Sequence, residues 1–380
     1  MQVEILNANI DIKKYLKDLK VDSGGVSILA SKAKLHILHI KDMSIGAANI
    51  LKQDALSIGA DLAVPRGTVN AKLERVDALL IATTKHLKLL SKKELAQPFG
   101  LKEFAHKLSE ILKISRADEP IIMGIINATD DSFYSGSRFL HKDSISKIIS
   151  MIEDGASIID IGAISSAPSS KAVSVGEEIA RLKPLLRAIK TQRLYEKVRF
   201  SIDSYEPKAI KLALDSGFSI VNDITGLADD EVAKLCATYS ATAIIMHMQG
   251  TPQTMQLNPQ YENILSDIYS FFEARVAKAE SFGIKDIVLD VGICFGKTLE
   301  HNLKLISHLE HFKTLGKELL VGASRKSMIN KITPSAPQDR LAGSIVLHME
   351  AIKNGASIIR VHDVYEHKQA LEVLKSLKTV

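Results

Sequence analysis

The chain has 380 residues, 46% of them apolar and 24% charged, which suits a globular protein with room for more than one core. Its 49 basic and 44 acidic residues leave a net charge of +5, without the dense basic stripe and interleaved aromatics of a nucleic-acid binder. Two cysteines, Cys236 and Cys294, rule out a disulfide framework, no run of about 18 apolar residues marks a membrane span, and the opening MQVEILNANIDIKKYLKDLK has no signal pattern, so a cytoplasmic protein is expected.

Residues 1–114 alternate strand-like pieces (MQVEIL, KLHILHI, ALLIATT) with the amphipathic stretches SIGAANILKQDALSIGA and FGLKEFAHKLSEIL. This pattern predicts a small N-terminal α/β domain, joined by ISRADEP to a second domain over 121–380. No cluster of chemistry-bearing residues stands out in the first domain, and an interaction or scaffold role is its plain reading.

From residue 121 the pattern changes. Eight short apolar runs recur between helical stretches: IIMGIIN (121–127), SIIDIGA (157–163), VRFSID (198–203), FSIVND (218–223), TAIIMH (242–247), DIVLDV (286–291), ELLVGA (318–323) and ASIIRVH (356–362). Near-continuous apolar runs are the mark of parallel strands covered on both faces. Ile145, Ile148, Ile149 and Ile152 carry helical spacing between the first two runs, Pro207 is placed to open a helix, and DGAS, DSGFS and NGAS supply a glycine where helices turn into strands. Eight strand–helix units in about 250 residues predict a (β/α)8 TIM barrel rather than a doubly wound open sheet.

In such a barrel the chemistry lies where strands end. Those ends read Asn127 with the Thr129–Asp131 loop, Asp160 with Ser165–Ser166, Asp203, Asn222–Asp223, His247–Gln249, Asp290, Ser324–Ser327, and Arg360, His362 and Asp363. All are polar, whereas the opposite ends begin with Gly-Ala-Ser or Lys-Asp. Arg325, Lys326, Arg360 and His362 come from the last two strands, where barrels commonly hold phosphate, and Ser327 falls at a helix start. Asp203, Asn222 and Asp290 suit a flat heterocycle with adjacent N–H donors, since one carboxylate accepts two parallel hydrogen bonds. One cationic and one acidic wall together suggest a phosphorylated heterocycle.

Three other signals are set aside. GICFGKT (292–298) has three residues between its glycines where a P-loop needs four. His308 and His311 share a helix face but have no third ligand nearby. Asn127-Ala-Thr129 matches a glycosylation acceptor, which has no meaning in a cytoplasmic chain.

At these residues the sequence resembles the dihydropteroate synthase family of the pterin-binding barrels. MGIINATDDSF is similar to that family's first-loop signature and IIDIGAISSAP to its second, and SIDSY, VNDITG, MHMQGTPQTM, LDVGICFGKT, GASRKS, RLAGS and RVHD follow in the family's order. The resemblance covers about 121–377. It implies condensation of 6-hydroxymethyl-7,8-dihydropterin diphosphate with 4-aminobenzoate to 7,8-dihydropteroate and pyrophosphate. It further implies that Asp203, Asn222, Asp290 and Lys326 hold the pterin and that Asn127, Arg360 and His362 hold the diphosphate with Mg2+, Asn127 being the metal contact. Ser327 would receive the aminobenzoate carboxylate, with Ser166 on the second loop and Phe133 and Pro168 flanking the ring. A homodimer is expected on the same ground, with small-molecule substrates as the only other partners.

The chain departs from the family pattern in both loops. Ala167 stands where the family has Arg, Ser169 replaces Gly, Asp130 replaces Pro, and Ser135 stands where a second Asp is usual. The two lost charges are opposite in sign, which predicts a compensated pair with Arg138 supplying part of the positive charge. Two alternatives stay open: a non-catalytic pterin-binding scaffold, and a methyltetrahydrofolate-binding methyltransferase.

Overall fold

The computed structural model describes residues 1–6, 10–114, 119–128, 138–164 and 173–379. It divides into two compact units, Met1–Ser115 with Lys375–Val380, and Arg116–Leu374.

In the first unit a three-stranded antiparallel sheet has the order β1–β3–β2, with β1 Leu35–Ser44, β2 Asp61–Ala63 and β3 Arg75–Thr83. Strict alternation in β3 buries Val76, Ala78, Leu80 and Ala82 on one face. These residues share a core with Ala48, Leu51 and Ala55 of the helix Ile45–Ser57 and with Leu87, Leu90, Leu101 and Leu108 of two later helices. Ser44 caps the first of these helices, its hydroxyl accepting from the Ala47 amide. MQVEIL is a correction to the sequence reading: its described residues form no strand. Val3 and Ile5 alternate as strand residues should, but both are exposed, and the sheet is complete without them.

The second unit is a closed barrel of eight parallel strands in chain order: β4 Ile121–Asn127, β5 Ile158–Gly162, β6 Arg199–Asp203, β7 Ile220–Asp223, β8 Thr242–Met246, β9 Ile287–Asp290, β10 Glu318–Val321 and β11 Ile358–Val361. The expected TIM barrel, with a small antiparallel-sheet domain before it, is the observed architecture. Pro207 opens its helix at the first turn, and Gly155, Gly217 and Gly355 all have positive φ where helices turn into strands.

The barrel's interior decides where chemistry can sit. Met123, Ile158, Ile220, Ile244, Val288, Leu320 and Ile358 form a separate buried cluster, the apolar floor. Strand side chains alternate with a period of two, so the next residues on that face lie two positions on. Those positions hold Ile125, Asp160, Asn222, Met246, Asp290, Gly322 and Arg360, with Asp203 two beyond the buried Ser201 on β6. One apolar layer therefore carries a layer rich in charged and amide groups directly above it.

Candidate active site

Arg360 on β11 ties this layer together. Its Nε donates to Asp160 Oδ2 at 2.6 Å, and its second terminal nitrogen donates to Asp203 Oδ2 at 2.6 Å. Asn222 on β7 donates its side-chain amide to the same Asp160 oxygen at 3.1 Å. The other oxygen of Asp160 is buried and has no hydrogen-bond partner among the described residues. Burial pushes the Asp203 carboxyl up to about 7, the Arg360 guanidinium pulling the other way and Asp160 and Glu178 adding to the rise.

Asp290 closes the acidic side. Its Oδ1 accepts from the Gly292 amide at 2.8 Å. Burial raises the Asp290 pKa and is the larger effect, with Lys326, the Gly292 amide and Arg360 pulling the other way. Lys326 donates its ammonium to the Ile293 carbonyl and stands over the Phe295 ring, 4.7 Å from the centroid. Burial lowers its pKa while Asp290 and Asp203 favour the charge. His362 shares a 2.9 Å hydrogen bond with the Ser324 hydroxyl through Nδ1, and burial beside Arg360 brings its pKa down to about 4. It is therefore neutral near pH 7, a hydrogen-bonding group rather than a cation.

The structure thus brings Asp203, Asn222, Asp290, Lys326, Arg360 and His362 to the carboxyl end of one barrel. Asn127 is the exposed last residue of β4, and Ser327 is the exposed first residue of the six-residue helix Ser327–Ile332. Phe133, Ser166 and Pro168 lie outside the described residues, as do Asp130, Ser135, Ala167 and Ser169. Arg138 begins a helix, and its side chain is also outside the described set. Arg325 is a correction to the cationic wall: Asp363 holds it at 2.8 and 2.7 Å, and the Pro337 and Gln338 carbonyls accept from it.

Two groups escaped the sequence reading. Asp160 was visible as a strand end, but its place at the centre of the layer was not. Lys297 is buried, donating to His247 Nδ1 at 3.0 Å, to the His247 carbonyl at 3.2 Å and to the Phe295 carbonyl at 2.9 Å. Burial brings Lys297 down to about 7 and His247 down to about 2. The only sequence signal was GICFGKT, whose lysine is held by the His247 ring and by backbone carbonyls of this chain.

Residues 123–362 match the family model described as pterin binding enzyme. The chain therefore belongs to the pterin-binding enzymes. It is 42% identical over 378 residues to the bifunctional dihydropteroate synthase/dihydropteroate reductase of Helicobacter pylori, covering 100% of this chain and 99% of that protein. It is 38% identical over 260 residues to the dihydropteroate synthase of Escherichia coli, covering 68% of this chain and 91% of that one. Among solved structures, the Yersinia pestis dihydropteroate synthase with a sulfonamide drug complex superimposes with a TM-score of 0.64 at 35% identity, over 69% of this chain and 95% of that one. The Xanthomonas albilineans enzyme with 4-aminobenzoic acid gives 0.64 at 31% identity, over 69% and 94%. Within the pterin-binding enzymes the chain is a member of the dihydropteroate synthases, which are transferases.

Proposed function

We infer that the chain joins 6-hydroxymethyl-7,8-dihydropterin diphosphate to 4-aminobenzoate, releasing pyrophosphate. The observation that carries this reading is the polar layer of Asp160, Asp203, Asn222, Asp290 and Arg360 above an apolar floor. The aromatic amine forms a C–N bond to the pterin methylene as the C–O bond to diphosphate breaks, and the amine loses a proton. Asp203, Asn222, Asp290 and Lys326 hold the pterin, whose ring N–H donors find acceptors in the carboxylates. The carboxylates also favour positive charge developing on the methylene. Arg360 and His362 receive the departing diphosphate, and Ser327 receives the aminobenzoate carboxylate.

Asn127 offers one neutral oxygen at the open end of β4. Mg2+ retains several waters and shares its ligands with substrate phosphates, so a single side-chain oxygen fits a metal that arrives with the diphosphate. When bound, Mg2+ neutralises leaving-group charge. A homodimer is supported by exposed apolar side chains on the barrel helices, Leu303, Val346 and Tyr365. Two free cysteines support a reducing, cytoplasmic setting.

Mixing the purified chain with pterin diphosphate, 4-aminobenzoate and Mg2+ is expected to release pyrophosphate, with sulfonamides competing against aminobenzoate. Pterin binding without pyrophosphate release would establish the scaffold alternative instead.

The Helicobacter pylori match supports a second activity, because it spans 100% of this chain where the Escherichia coli match spans 68%. That activity is reduction of dihydropteroate, a hydride added at C6 and a proton at N5, with the electron pair drawn from an external two-electron donor. Conversion of dihydropteroate to the tetrahydro form by the full chain with a reduced nicotinamide or flavin checks it. No conversion with either donor would leave the synthase activity alone.

A further inference from the structure

Two buried histidines lie behind the site, and the reaction as described does not use them. His348 sits on the helix Leu341–Lys353 that follows the β10 loop, and His367 on the helix Val364–Thr379 that follows β11. Both are fully buried. The Ala323 amide donates to His348 Nε2 at 3.0 Å, His348 Nδ1 meets His367 Nε2 at 2.9 Å, and His367 Nδ1 meets the Asp363 carbonyl at 2.6 Å.

The proton positions in this relay are determined by its two ends. An amide can only donate, so His348 Nε2 is bare and the His348 proton is on Nδ1. A carbonyl can only accept, so the His367 proton is on Nδ1 and its Nε2 is bare to receive from His348. Every bond is then satisfied with both rings neutral. A proton on either Nε2 would set two donors against each other. The surroundings agree: burial lowers both pKa values, and Lys326 near His348 and Arg325 near His367 push the same way, while Asp363 and Glu366 only partly offset this at His367.

The two ends of the relay are backbone atoms of the two loops that carry the cationic side of the site. Ala323 leads into Ser324, Arg325 and Lys326, and Asp363 follows Arg360 and His362. The same loops are laced by the Ser324–His362 hydrogen bond and the Arg325–Asp363 pair. Ser344, one turn before His348, accepts from the Arg325 amide at 2.7 Å.

We propose that His348 and His367 are positioning residues of the synthase reaction, an imidazole–imidazole link that fixes the backbone carrying Lys326 against the backbone carrying Arg360 and His362. The proposal rests on the reading of those three side chains as substrate-holding groups. A small displacement of either loop would move the pterin contact away from the diphosphate contacts, and such misplacement costs up to about a hundredfold in rate.

Histidine-selective 15N NMR of the full chain at about pH 8, where an ordinary histidine is neutral, is expected to show two imidazoles held as the less common Nδ1–H tautomer. Both signals should be assigned by loss in His348→Gln and His367→Gln. Either ring found as the Nε2–H tautomer would overturn the link. His348→Gln can still offer an oxygen to the Ala323 amide but removes the imidazole contact. It and His367→Gln are each expected to lower kcat/KM for pterin diphosphate by about tenfold or more at 25 °C, with native circular dichroism. Variants that melt earlier yet keep kcat/KM within about twofold would show a structural role only and overturn the positioning role. Absence of pyrophosphate release by the wild-type chain would instead be a failure of the synthase reading. Should the variants fail to fold, the wild-type tautomers, assigned by their bonded-neighbour shifts, still decide the link.

Discussion

Arg360 places one guanidinium between two carboxylates, the fully buried Asp160 and the largely buried Asp203, and the planar fork suits this because it donates in two directions at once. A lysine at this position can satisfy only one of them, leaving the other buried and unpaired. Arg360→Lys is therefore expected to destabilise the barrel by about 3 kcal/mol, read as a lower urea midpoint near pH 7.5, and to lose most of its activity. Equal midpoints would show that the pair is dispensable for stability. Glu94 poses the opposite problem in the N-terminal unit, since it is fully buried and neither carboxyl oxygen has a hydrogen-bond partner among the described residues. Burial, with Asp54 adding to it, raises its pKa to about 7. A carboxyl raised on folding contributes stability that is complete below its ordinary pKa, 4.5, and is lost as the pH rises through about 7. Glu94→Gln is expected to gain about 2 kcal/mol on the parent at pH 8 and almost nothing at pH 5, measured by chemical denaturation at both. A gain independent of pH would show that the charge is not the cause.

The β9 loop, residues 291–297, illustrates how an element can be set by contacts its own sequence does not announce. A Cβ on Gly292, at φ +65°, would lie 2.0 Å from the His247 carbonyl oxygen, and one on Gly296, at φ +63°, 2.6 Å from the Gln249 carbonyl oxygen. The two loops thus meet backbone to backbone, and Lys297 fastens them through His247 and Phe295. Gly283 also has a positive φ, +88°, but a Cβ there would meet nothing within 4 Å. Gly283→Ala is expected to cost about 1 kcal/mol from backbone strain alone, whereas Gly292→Ala should cost more than about 3 kcal/mol or prevent folding. Similar midpoints for the two variants would overturn the close-approach argument. The barrel strands themselves were legible because each is apolar on both faces, and Asp203, Asn222 and Asp290 were legible as polar residues ending such runs. Lys297 was not, because the groups that hold it lie as far as 50 residues away in sequence. His348 and His367 looked like ordinary helical residues for the same reason. MQVEIL failed in the other direction: alternation makes a strand only where a partner strand exists.

Among the described residues, the N-terminal cluster runs from Met43 to Leu108 and the barrel clusters draw on Ile122 to Val364, with no residue in common. Cooperative unfolding follows shared burial, so a chain built this way should melt in two steps rather than one. Leu51 is fully buried in the first cluster, and truncating a buried leucine to alanine removes transfer energy and leaves a cavity. Leu51→Ala is expected to lower the stability of the N-terminal unit by about 3 kcal/mol, leave the barrel transition in place and leave synthase kcat/KM unchanged. Differential scanning calorimetry with activity measured at each temperature checks this, and an equal shift of both transitions would mean that the units unfold as one. The same scan separates the two activities. If reduction of dihydropteroate depends on residues 1–114, it should disappear with the first transition in wild type and at a lower temperature in Leu51→Ala, while pyrophosphate release persists until the barrel melts. A reductase activity that survived the first transition would place its site in the barrel, on the polar layer proposed to hold the pterin.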